Sequence, residues 1–197
     1  MISFNIILFD DFETLDALGP AEIIGMLPQT YQLKFYSLEG DIITSKQQVP
    51  VDTLPLSGID ASGVLLIPGG VGTRAVVINE NFMEQLRGLA EKAAYVLTVC
   101  TGSALLAKTN LLNGLQATSN KVAFEWASSN GPEVKWVKKA RWVKDGKFYT
   151  SSGVSAGIDM TLGFVSDRLG IESAQNIANY MEYIWNRDMD NDPFAIK

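Results

Sequence analysis

One stretch limits what this chain can fold into. Residues 93–108, AAYVLTVCTGSALLAK, pass from an apolar, β-branched run into a helical pattern with no turn residue except Gly102. A buried strand that enters a helix directly leaves its joining residue on a sharp bend, projecting from the top of a sheet at the start of the helix. That residue is Cys100, the only cysteine among 197 residues. A lone cysteine in a strand can be a small buried hydrophobe. On such a bend it is also placed to act as a nucleophile.

Composition narrows the chemistry around the thiol. Apolar residues make up 47% and charged residues 19%, the profile of a globular protein. We read one domain over 1–197, with a core over about 3–185 and a polar tail at 186–197 that covers the surface. A net charge of −6 disfavours nucleic acid and anionic membranes as partners. No apolar run approaches the ~20 residues that cross a bilayer. The opening MISFNIILFDDF has no basic n-region, so with a single cysteine the expected compartment is the reducing cytoplasm. There is no histidine. That excludes Ser-His-Asp and Cys-His triads within the chain, as well as His-based zinc sites. Any general base is Asp, Glu, Lys, Tyr or the substrate itself, and neither a metal nor an organic cofactor is expected.

Taken in order, Ser3–Phe9 reads as a first buried strand. Gly19-Pro20 predicts an irregular turn near Thr14–Gly19, then a helix with Pro20 and Glu22 in its first turn, closed by Pro28. Asp16 then lies in a loop after the first strand, where α/β sheets place functional groups. It can equally be a helix N-cap or a solvated turn acid. Tyr31–Leu38 alternates as a strand, and Ile42–Ser45 with Val49–Leu54 forms an edge hairpin. Gly63–Ile67 is a short run typical of a strand buried on both faces.

Pro68–Arg74 (PGGVGTR) lacks the features of a P-loop or a dinucleotide fingerprint. It is either a plain glycine turn or a place where backbone N–H groups approach a reacting atom. Asn81–Lys92 is an amphipathic helix capped by Asn79 or Asn81. The helix after Cys100 is expected to run to about Leu112, before Asn113-Gly114 stops it. A helix over Val122–Ser129, short strands at Val134–Val137 and Arg141–Val143, and an Asp145-Gly146 hairpin into Lys147–Thr150 follow. A helix through Met160–Leu169 and another over Ser173–Trp185 complete the pattern. Alternating strands and helices imply a mostly parallel sheet covered on both faces.

Four motifs now coincide: FDDFETLDALGPAEII, LLIPGGVGTR, VLTVCTGSALLAKTNLLNG and YTSSGVSAGIDMTLGFV. In this order and at these separations they resemble the ThiJ/PfpI superfamily. More narrowly they resemble its isonitrile hydratase-like branch and the similar N-terminal domain of AraC-type regulators. The resemblance runs from about Ile6 to Trp185. It implies a flavodoxin-like α/β three-layer sandwich, usually a homodimer, with Cys100 as nucleophile at a strained elbow. It implies that Asp16, in LDALGP, is the acid facing the thiol. Gly69, Gly70 and Thr101 would form the oxyanion and substrate pocket, Gly70 and Thr101 through their N–H groups. In the isonitrile hydratase-like branch the Thr101 hydroxyl would also assist. Where that branch has a TTHW-like segment, this chain has Thr118-Ser119-Asn120-Lys121. Asn120 can hydrogen-bond in the histidine's place, adding to the pocket, but cannot shuttle a proton near neutral pH. Peptidase activity is therefore not expected.

A free thiol has a pKa of about 8.5, lowered at helix N-termini, and a neighbouring carboxylate opposes its ionisation. A workable pair shares one proton, expected on Asp16 and donated to a Cys100 thiolate. Three functions fit a small-molecule substrate. One is a hydro-lyase converting an isonitrile to an N-substituted formamide. Another is a different cysteine enzyme, acting on a dicarbonyl such as methylglyoxal or on an amide. The third is a redox or metabolite sensor in which Cys100 oxidises. A DNA-binding regulator is disfavoured, because no helix-turn-helix segment follows the last helix and the chain is acidic.

Overall fold

The computed structural model describes residues 1–195. In chain order its elements are β1 (Ile2–Ile7), α1 (Thr14–Gly25), β2 (Tyr31–Ser37), β3 (Asp41–Thr44), β4 (Pro50–Pro55), β5 (Val64–Ile67), α2 (Thr73–Val76), α3 (Glu80–Lys92), β6 (Tyr95–Thr98), α4 (Gly102–Lys108), β7 (Gln116–Ala117), α5 (Phe124–Ser129), β8 (Lys135–Trp136), β9 (Trp142–Asp145), β10 (Phe148–Ser151), α6 (Ala156–Leu169) and α7 (Ile171–Tyr180).

An eight-stranded sheet has the order β3-β4-β2-β1-β5-β6-β10-β9. Its inner strands are parallel, and β3 and β9 close the edges antiparallel. The mixed edges follow from the two hairpins, which bring their second strands back without a crossover helix. α1, α6 and α7 pack together, and α2, α3 and α5 pack on α4, giving the expected three-layer α/β architecture. The central strands have no solvent face: all of Val64–Ile67 and all of Phe148–Ser151 are buried. No helix among the described residues is long and apolar enough to cross a membrane.

Several boundaries differ from the sequence expectation. α1 starts at Thr14, before Gly19-Pro20, and holds Pro20 in its interior. Proline removes one helical donor there, leaving the Asp16 carbonyl without its i+4 partner. Packing on α6, with Ala17, Ala21, Ile23 and Ile24 buried, holds the helix together regardless. Asp16 is therefore in the first helical turn, not in a loop, and it is neither a cap nor solvated. Glu22 falls well past the first turn and is exposed.

α4 stops at Lys108 rather than near Leu112, because Asn110 takes a left-handed φ of +67°. α7 ends at Tyr180 rather than Trp185. Glu182 has φ +50°, the Tyr183 N–H bonds the Ala178 carbonyl and the Glu182 N–H bonds the Asn179 carbonyl, a Schellman closure. Asn79 caps α3, its Oδ1 accepting from Phe82 N, while Asn120 Oδ1 accepts from Ala123 N in the turn before α5, which starts at Phe124 rather than Val122.

The tail does more than cover the surface. The Met189 carbonyl accepts from the N–H groups of Arg141 and Trp142 at the outer side of β9. Asp192 is buried, with its Oδ1 3.6 Å from Arg141 Nη1.

Candidate active site

The parallel strands end on one side of the sheet, and the functional side chains gather there. β1 leads into Phe9–Glu13, β5 into Pro68–Thr73 and β6 into Cys100. Ligands in open parallel sheets bind at these carboxyl ends.

Cys100 has φ +58°, a conformation uncommon for a residue with a Cβ. Its backbone is fastened on both sides. The Cys100 N–H donates to the Ser152 carbonyl at 3.2 Å, and the Cys100 carbonyl accepts from Ser103 Oγ and Ser119 Oγ, each at 3.0 Å. Three bonds to one strained residue are how a fold holds such an elbow. Gly69 leaves it room. A Cβ there would stand 2.5 Å from Thr101 N and 2.9 Å from Cys100 Cβ, so the loop after β5 touches the elbow only without a side chain.

Asp16 is fully buried beside the thiol. Its Oδ2 accepts from the Gly69 N–H at 2.9 Å, and its Oδ1 has no hydrogen-bond partner among the described residues. Burial pushes its pKa up to about 7; the Gly69 N–H opposes the shift, the Glu13 charge adds to it, and the Cys100 thiol and Val154 N–H oppose it. Burial also pushes the Cys100 thiol up, the Asp16 charge adds to that shift, and the Thr101 N–H and hydroxyl oppose it. The direction runs against the expected pairing of a Cys100 thiolate with a protonated Asp16. α4 has only seven residues and cannot offset the loss of solvent. Burial thus favours the neutral thiol over the thiolate.

The expected N–H donors are partly committed elsewhere. The Gly70 N–H donates to Thr101 Oγ1 at 3.1 Å, and the Gly69 N–H serves Asp16. Neither is a free oxyanion donor; the Thr101 N–H is the one that faces the sulfur. Thr101 Oγ1 also accepts from Thr73 Oγ1 at 3.2 Å and lies 3.2 Å from the Gly70 carbonyl.

Cys100, Thr101, Gly70 and Asn120 line one cleft of about 160 Å³. Asp16 lies beneath it. Arg74 and Ala123 line the same cleft, within the loops around Val71–Val76 and Thr118–Phe124 that the sequence offers as setting pocket specificity, and so do Glu13 and Val154, which sequence reasoning missed. Arg74 closes the PGGVGTR motif, and its position just after the glycines was the available signal. Val154 has φ +47°, a strained value for a β-branched residue, and nothing local in GVSAG announces it. Among the described residues no cluster of three or more His, Cys, Asp or Glu is placed to hold a metal.

The DJ-1/PfpI family model matches residues 3–167, from the first strand to the helix that follows the site. The chain belongs to the DJ-1/PfpI family. Isonitrile hydratase of Pseudomonas putida is 28% identical over 185 residues, 92% of this chain and 78% of that protein. The HTH-type transcriptional regulator GbdR of Pseudomonas aeruginosa is 25% identical over 189 residues, 92% of this chain but 50% of the regulator. A THiJ/PfpI family protein from Pseudomonas syringae superposes with a TM-score of 0.81 at 25% identity, covering 98% of this chain and 77% of the other. Drosophila melanogaster DJ-1beta gives 0.79 at 20% identity, covering 93% and 99%, which speaks to the fold alone. Members of the DJ-1/PfpI family thus include an enzyme and a regulator, and the site's chemistry carries the choice between them.

Proposed function

We infer that the protein is a cysteine-dependent hydro-lyase acting on a small electrophile, of the isonitrile hydratase type. The observation that carries this reading is the buried pair itself: a thiol and a carboxylate of raised pKa, with one proton to exchange between them and no histidine in the chain. Such a pair suits addition of S–H across an electrophilic carbon. Ionised Asp16 removes the Cys100 proton as sulfur attacks the terminal carbon of R–N≡C. The same proton then passes from Asp16 to that carbon, giving the thioimidate Cys100–S–CH=N–R. Water adds to this carbon, placing one hydrogen on nitrogen and a hydroxyl on carbon. Collapse expels the sulfur, which recovers a proton, and the product is R–NH–CHO. The sum is R–NC plus H₂O, with no oxidant or reductant. The Thr101 N–H and hydroxyl beside the sulfur hold the thiolate while it attacks and leaves.

Cyclohexyl isonitrile and product detection as N-cyclohexylformamide test the reading. Cys100→Ala should abolish turnover, and Asp16→Asn should lower kcat roughly 10²–10⁴-fold, the range of a lost acid/base. The rate should rise as Asp16 ionises around pH 7, and Asp16→Asn should lose that limb. Full turnover by Cys100→Ala, or none by the unaltered protein, would reject it.

A further inference from the structure

The cleft over Cys100 is rich in donors, and its one cation is unpaired. Arg74 lines it together with Asn120 and Glu13. No carboxylate lies within 4.0 Å of the Arg74 guanidinium among the described residues. The group is nonetheless fixed. Its Cζ lies over the Trp126 ring, 4.0 Å from the centroid, and its Nη1 donates to the Gly70 carbonyl at 3.2 Å and to Thr73 Oγ1 at 3.1 Å. A guanidinium has five N–H donors in a rigid fork suited to a carboxylate. Both hydrogen bonds use Nη1, and Nη2 and Nε have no acceptor among the described residues. Asn120, which also lines the cleft, spends its Oδ1 on the Ala123 N–H, and its amide nitrogen rests against Gly153 with no hydrogen-bond acceptor among the described residues. Glu13 does not answer the charge: its Oε1 is held by Gln47 Nε2 at 2.8 Å, on the side of the hairpin that begins at β3.

We propose that the molecule reacting at Cys100 is a small carboxylate, its anionic end held by Arg74 and Asn120 and its electrophilic carbon presented to the thiol. This rests on Cys100 being the reacting group and adds the class of substrate. A purely structural Arg74 would need only the bonds from Nη1 and the Trp126 stack. A specificity residue also distinguishes charged from neutral molecules of the same shape.

Because Cys100 is the only cysteine, alkylation reports on this cleft alone. Iodoacetate and iodoacetamide are near-isosteric and differ in charge. Their rates of modification, followed by mass spectrometry at one pH, give a ratio that does not require turnover. Relative to the same ratio for free N-acetylcysteine, the unaltered protein should favour iodoacetate by about tenfold, one charged contact's worth of discrimination. Arg74→Gln should return the ratio to the solution value, and Arg74→Lys should keep most of it. An unchanged ratio in Arg74→Gln, or no preference in the unaltered protein, overturns the proposal.

A second arm compares isocyanoacetate with its methyl ester. Arg74→Gln should raise KM for the acid far more than for the ester. If neither isonitrile is turned over, the hydratase reading fails while the alkylation ratio still decides the role of Arg74.

Discussion

Asp16 and Asp159 are both fully buried carboxylates, and the fold treats them in opposite ways. Asp159 meets a cation. Its Oδ2 lies 2.6 Å from both Arg141 Nε and Arg141 Nη2, and its Oδ1 accepts from Tyr183 OH at 3.1 Å and from the Asn186 N–H at 3.0 Å. Burial pushes its pKa upward, but the Arg141 hydrogen bonds and charge hold the shift down. Asp16 has the Gly69 and Val154 N–H groups and the Cys100 thiol beside it but no cation, and burial carries it to about 7. Loss of solvent is thus answered by a cation at one acid and left standing at the other. The difference lies in the partners and also in the depth, since Asp16 is packed round more completely than Asp159.

The sharpest way to break this comparison is to take away the cation. Arg141→Met should cost about 3–5 kcal/mol in urea unfolding, because Asp159 and Asp192 are then buried without it. Adding Asp159→Leu should recover much of that; a loss below about 1 kcal/mol for the single change would mean that the pair is not what holds this corner.

The reverse test adds stability at the other acid. The Asp16 carboxyl has 3.8 as its ordinary pKa and about 7 when folded. A raised folded value means that its contribution is fully present below 3.8 and is lost as pH rises through about 7. Asp16→Asn, which has no such loss, should match the unaltered protein near pH 4 and exceed it by about 1–3 kcal/mol at pH 8, while being catalytically impaired. Equal stabilities across that window would show that the carboxyl is not strained by burial.

Asp192→Asn should have the smallest effect, about 1 kcal/mol of destabilisation in the same assay, since Arg141 keeps Asp159 as its close partner and the neutral amide leaves no buried charge unpaired. Its Oδ1 stands 3.6 Å from Arg141 and its Oδ2 lacks a partner among the described residues. The Phe194 N–H bond to Oδ1 can survive the change.

Much of this was legible in the chain. The apolar runs gave the strands, because a parallel sheet covered on both faces needs uninterrupted Val, Ile and Leu. The strand-to-helix pattern around Cys100 gave the elbow, and its left-handed φ is the conformation expected there. The position of Asp16 was misread for a local reason: Gly19-Pro20 looks like a helix start, and only packing against α6 keeps the helix running through it. The direction of the thiol's pKa was missed because burial is a property of the assembled layers, not of the motif. The fate of the Gly70 N–H was equally invisible, since Thr101, which consumes it, comes from a different strand end. Lys121 is a similar case. In sequence it follows Asn120 as an ordinary surface lysine. In the fold it is buried, donates to the Ala140 carbonyl at 2.6 Å and to Thr118 Oγ1 at 2.9 Å, and burial pushes its pKa down to about 8.

The Met189 carbonyl at β9 has a consequence for how copies of the protein behave at high concentration. β9 is the last strand of the sheet, and an open strand edge is a template on which a second chain can add. By accepting from the Arg141 and Trp142 N–H groups, the tail covers the start of that template. Colloidal stability is thus tied to the buried acid three residues further along: loosening Asp192 should uncover the start of that edge, with self-association appearing before any loss of the sheet.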